Sequence, residues 1–204
     1  MMAIRFTLLN LGEMVMKYRY LSKVLISFML IFSLMFTYVS ASSDVDIQND
    51  RAKALHSLGI LKGYPDGSLG LGDKIKRSEF FTMVVRILGL ENSDVSGGEL
   101  PFKDIDKSHW AYNNIKIAYK HGLIAGNPDG TIAPNNYITY PEVLTVLVRA
   151  LGYEEPKEGK WPDRIINLSG NLGMTKDVNI PANKQVTRGE ASVIIYNTLT
   201  VNFK

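Results

Sequence analysis

The side chains of this chain that could do chemistry are mostly cations and aromatics. Arg77 and Arg188 each follow a helix-start signal, in Lys76-Arg77-Ser78-Glu79 and Thr187-Arg188-Gly189-Glu190. A cation at the first helical position opposes the helix dipole. An anion bound there would receive backbone N–H groups together with a guanidinium fork. The competing reading is an arginine in solvent, or one paired with a nearby carboxylate. Lys76 adds a second positive charge where a threonine cap would otherwise stand. Trp110 and Trp161 each offer a flat apolar face, either to a sugar ring or to the outer core. Gly63 opens a Gly-Tyr-Pro-Asp-Gly turn whose glycines permit close approach of a ligand. Asp66 and Asp129 belong to such turns but lack the alternating oxygen ligands of a calcium loop. His56, His109 and His121 lie apart with no metal-ligand spacing, and the chain has no cysteine. No Ser-His-Asp order, paired-carboxylate motif or phosphate loop emerges. The expectation is a binding protein without catalyst, metal or cofactor.

These residues are positioned by a duplicated unit. Gly-Tyr-Pro-Asp-Gly at Gly63 to Gly67 returns as Gly-Asn-Pro-Asp-Gly at Gly126 to Gly130, in the same surroundings. Ile75, Glu79, Thr82, Val85, Arg86 and Leu88 reappear in the same register, without a gap, as Ile138, Glu142, Thr145, Val148, Arg149 and Leu151. A worn third copy follows, in which Val186, Thr187, Glu190 and Leu199 stand for Ile138, Thr139, Glu142 and Leu151. Such self-similarity outranks local readings. The predicted limits are 44–92, 101–155 and 160–201.

Each copy reads as helix, loop, helix. His109 to His121 places Trp110, Ile115, Ala118 and Tyr119 largely on one face, with Gly122 suited to a left-handed cap. The second helices are predicted at about Arg77–Leu88 and Tyr140–Leu151, the former apolar almost all round and hence buried on several sides. Thr139-x-x-Glu142 and Thr187-x-x-Glu190 fit the capping box, which makes Glu79, Glu142 and Glu190 structural. The predicted fold is all-α, a compact pseudo-threefold bundle with the second helices together and the first helices outside.

The segment from Met1 to Ala41 reads as a cleaved signal peptide: Lys17, Arg19 and Lys23, an uncharged apolar run from Val24 to Val39, then Val39-Ser40-Ala41. The run is short of the roughly 20 residues that span a bilayer comfortably, so no membrane association is expected after cleavage. Met14 or Met16 is an alternative start. Without this segment the chain holds 19 basic and 19 acidic residues, so the net charge of +3 belongs to the export signal. A nucleic-acid partner loses its electrostatic footing.

The repeats resemble S-layer homology domains, modules that hold exoproteins on bacterial cell walls. Phe102, Asp104, Trp110, Ala111, Gly126, Pro128, Asp129, Gly130, Ile138, Thr139 and Glu142 carry the resemblance in the second repeat. Gly63 to Gly67, Ile75, Arg77 and Glu79 carry it in the first, and Thr187, Arg188 and Glu190 in the third. It implies a secreted, non-catalytic module that binds an anionic, pyruvylated secondary cell-wall polysaccharide in grooves between repeats. The same ends occur on S-layer proteins and surface exoenzymes, so an anchoring piece of a larger protein with its own cargo is the alternative. Lys76, Arg77, Asp104, Trp110, Arg188 and Gly63 are the expected ligand contacts. The departures predict one good groove, or two unequal ones. Tyr140 replaces arginine in repeat two, repeat three lacks Pro-Asp-Gly, and repeat one lacks the leading tryptophan. The Arg77 groove, with Asp104 to Trp110 as its opposing wall, is expected to be the strongest, and Arg77→Ala is expected to spare the helical signal.

Overall fold

A computed structural model describes residues 43–204; the predicted signal peptide lies outside them. These described residues form six α-helices in chain order: α1 (Asp44–Ser57), α2 (Arg77–Ile87), α3 (Tyr112–Lys120), α4 (Tyr140–Ala150), α5 (Asp163–Asn171) and α6 (Arg188–Thr198). Among the described residues there is no strand, only isolated bridges.

The second helices, α2, α4 and α6, start as the sequence predicts. Oε2 of Glu79, Glu142 and Glu190 accepts the N–H of Lys76, Thr139 and Thr187 respectively, each at 2.8 Å. In the third repeat the Thr187 hydroxyl completes the box by accepting the Glu190 N–H at 3.2 Å. In the second, the Thr139 hydroxyl instead donates to Glu142 at 2.7 Å. α3 ends at the expected glycine: Gly122 has φ 69° and its N–H reaches the Tyr119 carbonyl at 3.0 Å.

The pseudo-threefold axis is marked by a closed ring of hydrogen bonds. Ile75 N–H donates to Val186 C=O, Val186 N–H to Ile138 C=O and Ile138 N–H to Ile75 C=O, at 3.0–3.1 Å. All three side chains are fully buried, so the segments that lead into the second helices knit the repeats together over the core. α4 packs against both α2 and α6.

The first helices lie outside, but each packs on a different repeat from its own. α3 packs on α2, α5 on α4, and α1 on α6, which closes the circle between the first and last repeats. Ala52 and Leu55 of α1 are thereby fully buried. An isolated repeat would leave both of its helices without their partners. The chain is long enough to bury one shared core, and the core is shared indeed: Phe80, Phe81, Leu144, Leu147, Ile165 and Ile194 belong to one cluster.

Candidate functional site

The helix starts are where repeats meet. Arg188 is 4% exposed; its Nε donates to Leu69 C=O at 2.8 Å, Nη2 to Lys62 C=O at 2.7 Å and Nη1 to Glu79 Oε1 at 3.4 Å. Its guanidinium lies 4.7 Å from the Tyr64 ring centroid. Arg77 repeats the scheme one repeat further round. Nε donates to Ile132 C=O at 2.9 Å and Nη1 to Glu142 Oε1 at 2.5 Å, with the guanidinium 5.2 Å from the Phe81 ring. The capping glutamates are therefore shared: one oxygen caps its own helix and the other holds the neighbouring repeat's arginine. Two copies of arginine at the first helical turn, each followed by the capping glutamate, were visible in the sequence. Their pairing across repeats was not, because it depends on how the ring closes.

Two grooves result. One has a volume of about 270 Å³ and is lined by Gly63, Tyr64, Glu79, Thr82, Arg86, Trp110 and Arg188, among others. The second, of about 220 Å³, is lined by Gly126, Asn127, Glu142, Thr145, Arg149, Trp161 and Arg77, together with Phe81, Val146 and Glu155. Gly63, Tyr64, Glu79, Thr82 and Arg86 of the first repeat correspond one for one to Gly126, Asn127, Glu142, Thr145 and Arg149 of the second, so the same positions build both. In each, the arginine comes from the preceding repeat around the ring, the glycine turn from the repeat it abuts, and the tryptophan from the following one. Trp110 is 61% and Trp161 52% exposed, so neither fills the outer core.

This placement corrects several sequence expectations. Gly63, Trp110 and Arg188 meet in one groove, whereas Arg77 lies in the other, which Trp161 also lines. The Asp104 to Trp110 segment therefore does not face Arg77. Trp110 reaches the neighbouring groove, and Asp104 turns to its own repeat, accepting the N–H groups of Ile132 at 2.8 Å and Ala133 at 2.7 Å. Lys76 is exposed and lines neither groove. The N–H groups at the helix starts are also spoken for: Arg77 and Ser78 donate to Asn136 and Pro134 carbonyls, Arg188 and Gly189 to those of Asp73 and Leu71, at 2.8–3.0 Å. What the grooves offer an anion is arginine side chains, not open helix ends.

The third junction has no such groove composition. Tyr140, in the arginine position, is buried; burial pushes its hydroxyl above the ordinary phenol range, opposed by a hydrogen bond with Thr175. Lys184 substitutes as the glutamate's partner, Nζ lying 2.6 Å from Glu190 Oε1. Asn197 bonds the Met174 and Lys176 carbonyls at 3.2 and 2.7 Å, in the place where Arg86 and Arg149 stand in the grooves.

The chain matches the S-layer homology domain family at residues 48–81 and 101–144. It is similar to a middle cell wall protein of Brevibacillus brevis, 32% identical over 81% of this chain and 16% of the relative. A surface layer protein of Brevibacillus choshinensis is 34% identical over 65% of this chain and 12% of that protein. A cellulosome-anchoring protein of Acetivibrio thermocellus is 39% identical over 69% of this chain and 35% of that protein. The chain thus spans well under half the length of these relatives. Helix-loop-helix repeats closed into a ring, with a duplicated junction groove and these similarities, identify the chain as a secreted, cell-wall-associated S-layer homology domain protein built from tandem repeats.

Proposed function

We propose that the two junction grooves hold an anionic saccharide of the secondary cell-wall polymer, in the form of its pyruvylated residues, and so fasten the protein non-covalently to the wall. The observation that carries this reading is the recurrence, in both grooves, of an arginine, a glycine turn and an outward tryptophan. Core packing has no use for an indole left more than half exposed beside a buried guanidinium. Stacking on a sugar face, with the carboxylate of the ketal toward the arginines, uses both. Surface proteins or enzymes in the length that the relatives have beyond this module are the proposed cargo.

The lining favours the Arg188 groove as the stronger, reversing the expectation from sequence. Its charged residues are Arg188, Arg86 and Lys62 against Glu79, whereas the other sets Arg77 and Arg149 against Glu142 and Glu155. Tyr64 supplies its second aromatic ring, from the turn position that Asn127 holds in the other groove, where Phe81 is the second aromatic. The test is sedimentation with purified wall sacculi before and after chemical removal of the secondary polymer. Binding lost with the polymer is expected; binding that survives its removal would assign the module to peptidoglycan itself.

A further inference from the structure

The loop that receives the start of α2 contains an alanine in a backbone conformation that alanine resists. Ile132 C=O accepts from Arg77 Nε at 2.9 Å, and Pro134 C=O accepts from the Ser78 N–H at 3.0 Å. Between them Ala133 has φ 52°, the left-handed region in which a Cβ crowds the following carbonyl. The first repeat accepts the same bonds: Arg188 Nε donates to Leu69 C=O at 2.8 Å and the Gly189 N–H to Leu71 C=O at 2.9 Å. There the intervening residue is Gly70, with φ 57°, which adopts the conformation without hindrance. The two loops differ in one further respect. Asp104 grips the N–H groups of Ile132 and Ala133, the two peptides that flank Ile132, in repeat two, at 2.8 and 2.7 Å. In the register that aligns the two repeats, Ala41 is its counterpart in the sequence. In sequence, the first repeat has the glycine and an alanine in the position of Asp104; the second has the aspartate and an alanine in the position of the glycine.

We propose that Asp104 is a positioning residue for the Arg77 groove: its two-oxygen grip holds Ala133 left-handed, keeping the Ile132 carbonyl on Arg77 Nε and the guanidinium aimed into the groove. Asp104 acts through the backbone and touches no ligand. Its consequence for wall binding rests on the function proposed above; its consequence for Arg77 does not.

The two devices should be interchangeable, which makes a rescue experiment possible. Solvent exchange of the Arg77 and Arg188 Nε–H protons is followed by NMR in the isotope-labelled full chain, without ligand. The comparison covers the wild type, Asp104→Ala, Ala133→Gly and the double variant. Asp104→Ala should speed Arg77 exchange about tenfold or more, as expected for a lost charge-assisted bond, and leave Arg188 unchanged. Ala133→Gly alone should change little, and the double variant should return to within about twofold of wild type. Unchanged Arg77 exchange in Asp104→Ala, or acceleration that Ala133→Gly does not reverse, overturns the proposal. Should Asp104→Ala fail to fold, Asp104→Asn, which keeps one acceptor, carries the same comparison and the same two outcomes. Arg77 exchange that speeds in Asp104→Ala and is restored in the double variant, with sedimentation on polymer-bearing sacculi in a Trp110→Ala background unchanged throughout, would support the positioning role and count against the Arg77 groove as the polymer site.

Discussion

At the scale of single residues, Arg77 and Arg188 show how a cation is kept at the helix end that repels it. Each is compensated by a carboxylate and a carbonyl from the next repeat, and these partners outweigh a dipole term of about 0.3–1 kcal/mol. That pairing alters what mutation will report. Arg188→Ala would leave Glu79 and two carbonyls without their partner, at a cost approaching the roughly 3–5 kcal/mol of a broken buried pair, reduced because the Glu79 side chain is 22% exposed. Binding loss in arginine variants will therefore be entangled with destabilisation, contrary to the expectation that Arg77→Ala spares the fold. Tryptophan variants are cleaner. Trp110→Ala should change stability by no more than about 0.5 kcal/mol, yet weaken wall binding severalfold to about tenfold through lost stacking. A Trp110→Ala protein that binds the wall as tightly as wild type would remove the stacking role. Glu190 gives a residue-scale pH prediction. Burial raises its pKa, but bonds from Lys184 and Thr187 more than offset this and hold it below the ordinary 4.5. A depressed carboxylate contributes stability that is present above that value and lost as pH falls through the folded pKa. Melting temperature against pH should accordingly fall less steeply below about pH 4.5 in Glu190→Gln than in wild type; equal slopes would contradict the assignment.

At the scale of helices and turns, much was legible in advance. α2 and α4 begin at the predicted residues and end within one residue of the prediction, because the capping pattern and the apolar periodicity both mark them. The Pro-Asp-Gly turns form as their chemistry dictates: Asp66 accepts the Ser68 N–H and Asp129 the Thr131 N–H, with Gly67 and Gly130 at φ 81° and 79°. Helix partners were not legible. Apolar faces on α1 and α3 announce burial but not against what, and the exchange of partners between repeats follows from the direction in which the ring closes. The grooves inherit that exchange, which is why Trp110 and Arg77, neighbours by sequence logic, lie in different ones. A truncation after Tyr153 should therefore be worse than the loss of one bead from a string. It removes α6 and strips the buried face of α1, with Ala52 and Leu55. Far-ultraviolet circular dichroism should show helix loss in α1 as well as the deleted part, with no cooperative melt. Independent folding of residues 44–153 with wild-type cooperativity would show that the repeats do not depend on closure.

At the scale of the whole molecule, the third repeat closes the ring and, among the described residues, does not rebuild the lining that the two junction grooves share. Its loss of Pro-Asp-Gly removes one wall, Tyr140 removes the arginine, and Lys184 restores the charge on Glu190 that the arginine would have supplied. Two grooves remain, built from the same positions by residues of three repeats, and that both take up the wall polymer is the central claim. The most direct measurement is a calorimetric titration of the full chain with a short, purified fragment of the pyruvylated wall polymer. Wild type should bind close to two fragments per chain, Trp110→Ala should retain the site of Trp161, and the Trp110→Ala/Trp161→Ala protein should fold normally and bind neither. A folded double-tryptophan variant that still takes up two fragments would place the polymer elsewhere on the molecule and contradict the account.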